Sequence, residues 1–135
     1  MGESSMIKRF LTENGIEFFE VINTGVVATI YNDKENMENK TVATRADIDA
    51  LPIFEENDVD YKSKNTGKMH ACGHDAHTTI QLGVAKVLAE NKDKWHGTAR
   101  FFFQPAEETS GGSDRMIKAG ALEFEKEKDR KIDAF

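Results

Sequence analysis

The sequence predicts an α/β chain, a three-layer α/β/α sandwich built on a mixed, largely parallel sheet. Three observations point there. β-rich runs alternate with helical periodicity in the second half of the chain. One run, TARFFFQ at 98–104, is almost continuously apolar, as in a strand covered on both faces. Three polar clusters, RADID, HACGHDAH and QPAEE, follow strands or precede a helix. Sheets of this class carry their sites there, beyond the carboxyl ends of the strands.

The elements follow in order. MIKRFLTENG reads as a short helix with Met6, Phe10 and Leu11 on one face and Gly15 as its stop. IEFFEVI and VVATIY are strands separated by the turn NTG. The polar NDKENMENK is a surface turn, and TVATRAD is a third strand that reads as the partner of VVATIY in a long-looped hairpin. Residues 48–69 lack periodicity and form an irregular connection, long enough to point to function. From Thr78, the spacing of Ile80, Val84, Val87 and Leu88 predicts a helix up to AENK. KDKWHG is a turn, TARFFFQ the central strand and PAEETSGGSD the loop leaving it. DRMIKAG is a short helix with Asp114 as candidate cap and Gly120 as stop. ALEFEKEKDRK is mixed and charged, and IDAF begins another strand.

Bulk properties narrow the function classes. A length of 135 residues suits a single domain, 1–135, with one core. Apolar residues at 39% against 31% charged describe a globular chain, not a disordered one. A net charge of −6 without a basic face argues against nucleic acid. No apolar run is long enough to span a bilayer, and MGESSM is no signal-peptide core. With Cys72 as its single cysteine the chain forms no internal disulfide, so a reducing cytoplasm is the expected setting.

HACGHDAH holds Cys72 and three of the four histidines. Cys72 and His74 are two apart, so in an extended segment both side chains point the same way. Thiolate and imidazole both suit a borderline-soft divalent metal. His70 and His77 read better as solvated or local polar residues. In QPAEE, Glu107 and Glu108 directly follow a buried strand, where adjacent carboxylates face different sides and can take different tasks, ligand and general base. Among 24 acidic residues such a pair is weak evidence alone. Asp47 ends a strand, placed either to orient a ligand or simply to close a turn. A Cys72 nucleophile is the weaker alternative. A histidine two residues on along one strand is poorly aimed for in-line proton transfer, and acidic neighbours raise a thiol pKa.

RADIDALPI, MHACGHDAHTT, FFFQPAEETSGGSDRMIKAG and KIDAF, in this order and spacing, closely resemble the metallo-amidohydrolases of the aminoacylase and zinc-carboxypeptidase type. The nearest branch holds hippurate hydrolases, N-acyl-amino-acid and N-acetyl-diaminopimelate deacetylases and auxin-conjugate hydrolases. The resemblance runs from about Gly25 to the end and implies a zinc-exopeptidase-like catalytic domain with two divalent metals, zinc or manganese. It implies Cys72 as bridging ligand, His74 and Glu108 as further metal ligands, Glu107 as the general base and Asp47 as the residue that orients the site. Where many relatives carry a histidine ligand, Arg45 stands here, and His74 takes its place. The implied reaction is hydrolysis of the amide bond of an N-acyl amino acid or short peptide.

Such enzymes are much longer. They carry an inserted domain that closes over the substrate and two further ligands, for which no histidine after His96 is a candidate. The expectation is therefore a truncated N-terminal portion of the catalytic domain, with partial or no metal occupancy and little activity. The competing reading is a non-catalytic folded domain, alone or as a homodimer that covers its open strand edges.

Overall fold

A computed structural model describes residues 2–108, 111–124, 126–127 and 129–135. Thr109 and Ser110 of the expected loop, and Glu125 and Lys128 of the charged segment, lie outside the described residues. The elements are α1 (Glu3–Glu13), β1 (Glu17–Val21), β2 (Gly25–Asn32), β3 (Thr41–Asp47), α2 (His74–Glu90), β4 (Gly97–Gln104) and α3 (Gly112–Lys118).

The sheet is mixed and runs β1-β2-β4-β3. β1–β2 and β2–β4 are antiparallel, while β3–β4 is parallel. The expected hairpin of β2 with β3 does not form, because β4 lies between them. The reason is chemical: every residue of β4 is buried, and only a central position gives such a strand partners on both edges and cover on both faces. Ala134 bridges Val42 in parallel on the outer edge of β3, where IDAF was expected to start a strand.

Two hydrophobic clusters flank the sheet and define the three layers. Ile7 and Leu11 of α1 and Ala85 of α2 pack with Val26, Ala28, Ile30, Phe101 and Phe103 on one face. Met116 of α3 and Ala121 pack with Val27, Ala43 and Phe102 on the other. The buried side of α1 is Ser4, Ile7 and Leu11, and Met6 points outward at 52% exposure. α2 also turns a different face inward than its aliphatic spacing predicts. Ile80, Val84 and Val87 are exposed, while His74, Thr78, Gln81 and Ala85 are buried. The polar positions win because they bond to the sheet. Gln81 Nε2 donates to the Phe102 carbonyl at 2.9 Å, and Thr78 Oγ1 donates to the Asp47 carbonyl at 3.2 Å. The N-cap of α3 is Gly111, in the left-handed region, and not Asp114, which instead pairs with Lys118 at 2.6 Å across one turn. Among the described residues no helix is long and apolar enough to cross a membrane.

β4 starts from a backbone that only glycine tolerates. Gly97 has φ +101, and a Cβ there would lie 2.4 Å from the Lys40 carbonyl oxygen, which accepts the Thr98 amide at 2.9 Å. Gly97→Ala is expected to lose about 2 kcal/mol or more from strain and displaced backbone, read as a drop of roughly 8 °C in thermal unfolding by circular dichroism. An unchanged midpoint sinks this account.

Candidate metal centre

β3 and β4 run parallel and in register, Asp47 beside Gln104, so both end at one edge of the sheet. Asp49 follows the first, Glu107 and Glu108 the second, and α2 begins at His74 against the same edge. The site is thus assembled from three segments distant in sequence.

Asp47 is 5% exposed and its carboxylate is surrounded by nitrogen atoms of three side chains. His77 Nδ1 donates to Oδ1 at 2.7 Å, and Arg45 Nη1 and His74 Nε2 lie 3.2 and 3.4 Å from Oδ2. Arg45 is itself steadied by Nε donating to Gln104 Oε1 at 2.9 Å. Burial pushes the Asp47 carboxyl up, but the His77 hydrogen bond and the Arg45 guanidinium outweigh it and hold it below the ordinary aspartate value.

His74 is 3% exposed. Its Nδ1 lies 3.0 Å from the Asp49 carbonyl oxygen, which can only accept, so Nδ1 carries the proton. Nε2 then faces Asp47 and Glu108, whose Oε1 is 3.9 Å away. Burial lowers the imidazole pKa. The Asp49 hydrogen bond and the carboxylates of Asp47, Asp49 and Glu108 outweigh burial and raise it. A lone pair aimed between carboxylates is satisfied by a proton or by a metal cation.

The donors available fit a cation. One ligand atom each from Cys72, His74 and Glu108 lie within 4.8 Å of one another, as do those of Asp47, His74 and Glu107. Donors on one tetrahedral zinc sit roughly 3.5 Å apart, so closing on an ion needs about an ångström of movement. Cys72 and Glu108 are exposed, which leaves that side of His74 open. Sulfur, nitrogen and oxygen donors together suit zinc-like ions better than calcium or magnesium.

Cys72, His74, Glu107, Glu108 and Asp47, the five candidates of the sequence, therefore meet at one place, though two of the local geometries differ from expectation. Cys72 and His74 do not converge as strand neighbours, because His74 opens α2 with Gly73 as its N-cap. Glu107 and Glu108 do not lie in an extended chain. Ala106 takes φ +58, so the segment turns and brings each carboxylate into a different one of the two clusters. Gly112 locks this turn: its amide donates to the Ala106 carbonyl at 3.1 Å, and a Cβ on it would fall 1.7 Å from the Pro105 oxygen.

Two residues escaped the sequence reading. His77 binds Asp47 and is not merely solvated. Its signal was the spacing of three from His74, which shares a helix face. Asp49 touches both His74 and Glu108, and its signal was the alternation in RADID, which points Asp47 and Asp49 to one side. His70 is not a local polar residue either: its Nε2 lies 2.8 Å from Glu3 Oε2, tying the loop before α2 to the first turn of α1. A groove of about 470 Å³ beside Gly15, Tyr31, Lys92 and Lys126 shares no residue with the cluster.

Known proteins are similar to most of this chain. A hydrolase of Staphylococcus epidermidis is 50% identical over 123 residues, which cover 89% of this chain and 31% of that protein. N-acetylcysteine deacetylase of Bacillus subtilis is 45% identical over 118 residues, covering 86% of this chain and 30% of that protein. The crystal structure of a dinuclear metal-binding M20 peptidase from Bacillus subtilis superposes with a TM-score of 0.78 at 43% identity, covering 88% of this chain and 33% of that one. The chain thus spans about a third of the length of the relatives it matches. The family model for peptidase family M20/M25/M40 matches residues 43–135, a stretch that contains both clusters, and the chain belongs to that family of hydrolases.

Proposed function

We propose that the chain carries the first part of the catalytic centre of a metal-dependent amidohydrolase acting on N-acyl amino acids or short peptides. The observation that carries this reading is the convergence of Cys72, His74 and Glu108 beside Glu107 and the buried Asp47. The deacetylase among the relatives supports the substrate class, and the share of each relative covered supports reading residues 1–135 as a portion of a longer catalytic domain.

In this reading Cys72, His74 and Glu108 hold a divalent ion, zinc or manganese, in a two-metal centre. When bound, the ion supplies Lewis acidity toward the amide carbonyl. Glu107 takes the proton of the attacking water and returns it to the leaving nitrogen. Asp47, kept ionised by His77 and Arg45, orients the centre by placing a charged Oδ2 beside His74 Nε2, on the side where the ion would sit. The substrate is a small molecule and the setting cytoplasmic, where an exposed thiolate ligand stays reduced.

The test is release of amino acid from N-acetyl and N-benzoyl amino acids by purified protein loaded with Mn²⁺ or Zn²⁺. Turnover that stops on chelation supports the reading. Turnover that survives chelation and is lost on alkylating Cys72 overturns it in favour of a thiol hydrolase. A second reading, a folded metal-binding domain without catalysis, draws on the three-donor size of each cluster among the described residues. Metal binding with no turnover is its signature, and a homodimer is its natural assembly.

A further inference from the structure

Glu3 opens α1, where an acidic residue ordinarily faces water and answers the helix dipole. Its side chain is instead turned inward and is only 23% exposed, and His70 Nε2 donates to its Oε2 at 2.8 Å. The same carboxylate hydrogen-bonds the hydroxyl of Thr78, whose Oγ1 also lies 3.2 Å from the Asp47 carbonyl oxygen. The other ring nitrogen of His70, Nδ1, is buried with no hydrogen-bond partner among the described residues, so the Glu3 contact is the polar tie of that ring. His70 and Thr78 stand on either side of Cys72. Between them, residues 70–73 form a link that is neither strand nor helix. It leaves the bridge of Met69 with Leu51, closed by bonds of 2.9 and 3.0 Å, and ends at α2.

We infer that Glu3 is a positioning residue, a latch in the first turn of α1 that grips His70 and Thr78 and so sets where Cys72 stands against His74 and Glu108. This rests on the reading of Cys72 as a ligand. An exposed thiol on an irregular link reaches the cluster only in some conformers, and affinity falls with the fraction that is competent. One carboxylate holding both ends of the segment narrows those conformers, and its bonds are charge-assisted. α1 thereby serves the metal centre although neither cluster takes a ligand from it.

The experiment compares wild type, Glu3→Ala, Glu3→Gln and the double variant Glu3→Ala/His70→Ala, each confirmed as folded by circular dichroism. In metal-free protein, hydrogen exchange at the Met69 amide, which donates to the Leu51 carbonyl, is read relative to the amides of β4, so that a global loss of stability cancels. Glu3→Ala is expected to exchange Met69 about ten times faster on that relative scale. Glu3→Gln keeps an acceptor for Nε2 and restores most of the protection. The double variant is no worse than Glu3→Ala, because each residue acts through the other. In the second state the protein is saturated with Co²⁺. The thiolate-to-cobalt charge-transfer band reports Cys72 alone, and Glu3→Ala is expected to lose intensity there relative to the ligand-field bands, with Zn²⁺ affinity lowered about 10-fold. Unchanged relative exchange at Met69, or an unchanged thiolate band in Glu3→Ala, overturns the inference. A wild type that binds Co²⁺ without a thiolate band, or binds none, sinks the ligand reading of Cys72 alone, and the Met69 exchange then decides the latch.

Discussion

Glu107→Gln is expected to lower amide hydrolysis by about 10²- to 10⁴-fold, the usual worth of a positioned general base. The substitution is nearly isosteric and removes the proton acceptor while keeping the turn after β4. Cys72, His74 and Glu108 remain, so Zn²⁺ affinity is expected to change little. That separation is the informative part. Glu107 also falls in the cluster with Asp47 and His74. If the carboxylate is itself a ligand, metal affinity falls together with kcat, and the role given to Glu107 is wrong. Steady-state kinetics beside a metal titration on the same preparation decide between the two, and wild-type activity in Glu107→Gln excludes both.

Arg100→Ala is expected to cost about 3–5 kcal/mol, in the range of the largest core truncations. Arg100 is 1% exposed in the middle of β4. Its Nη2 donates to the Ala121 carbonyl at 2.8 Å and the Glu123 carbonyl at 2.5 Å, and its guanidinium lies 4.0 Å from the centre of the Phe124 ring. The truncation leaves a cavity and two carbonyls without this donor, and so frees the segment after α3. Arg100→Met separates the two causes. It keeps most of the volume and loses the donors, so it is expected to cost about 1–3 kcal/mol. Thermal unfolding followed by circular dichroism should fall by about 4 °C for each kcal/mol. Equal losses in the two variants mean that packing contributes little, and no loss in either removes the structural role of Arg100.

The reach of the sequence differs from residue to residue. The central strand was legible because a run as apolar as 98–104 has few places to go except between two neighbours. The partner of β2 was not, since pairing depends on which strand takes the centre. The inward face of α2 does not follow from its aliphatic spacing, for a related reason. Aliphatic spacing outlines a stripe, but Thr78 and Gln81 find carbonyl acceptors on the sheet and draw the other face inward. The site candidates were legible as types and clusters, and the family resemblance ordered them into roles. His77 and Asp49 were missed because each acts through a partner that only the folded chain supplies.

By itself, the sequence determined which side chains are available for chemistry and the segments that carry them, because donor type and element type are local properties. It also determined the family, through several spaced motifs that are weak singly and specific together. Only the tertiary structure decided that Asp47 and Gln104 end side by side, that the turn at Ala106 sends Glu107 and Glu108 to different clusters, and that Asp49 ties His74 to Glu108. Those are distances between segments tens of residues apart, and such distances are set by how strands order and helices seat, which no local pattern encodes.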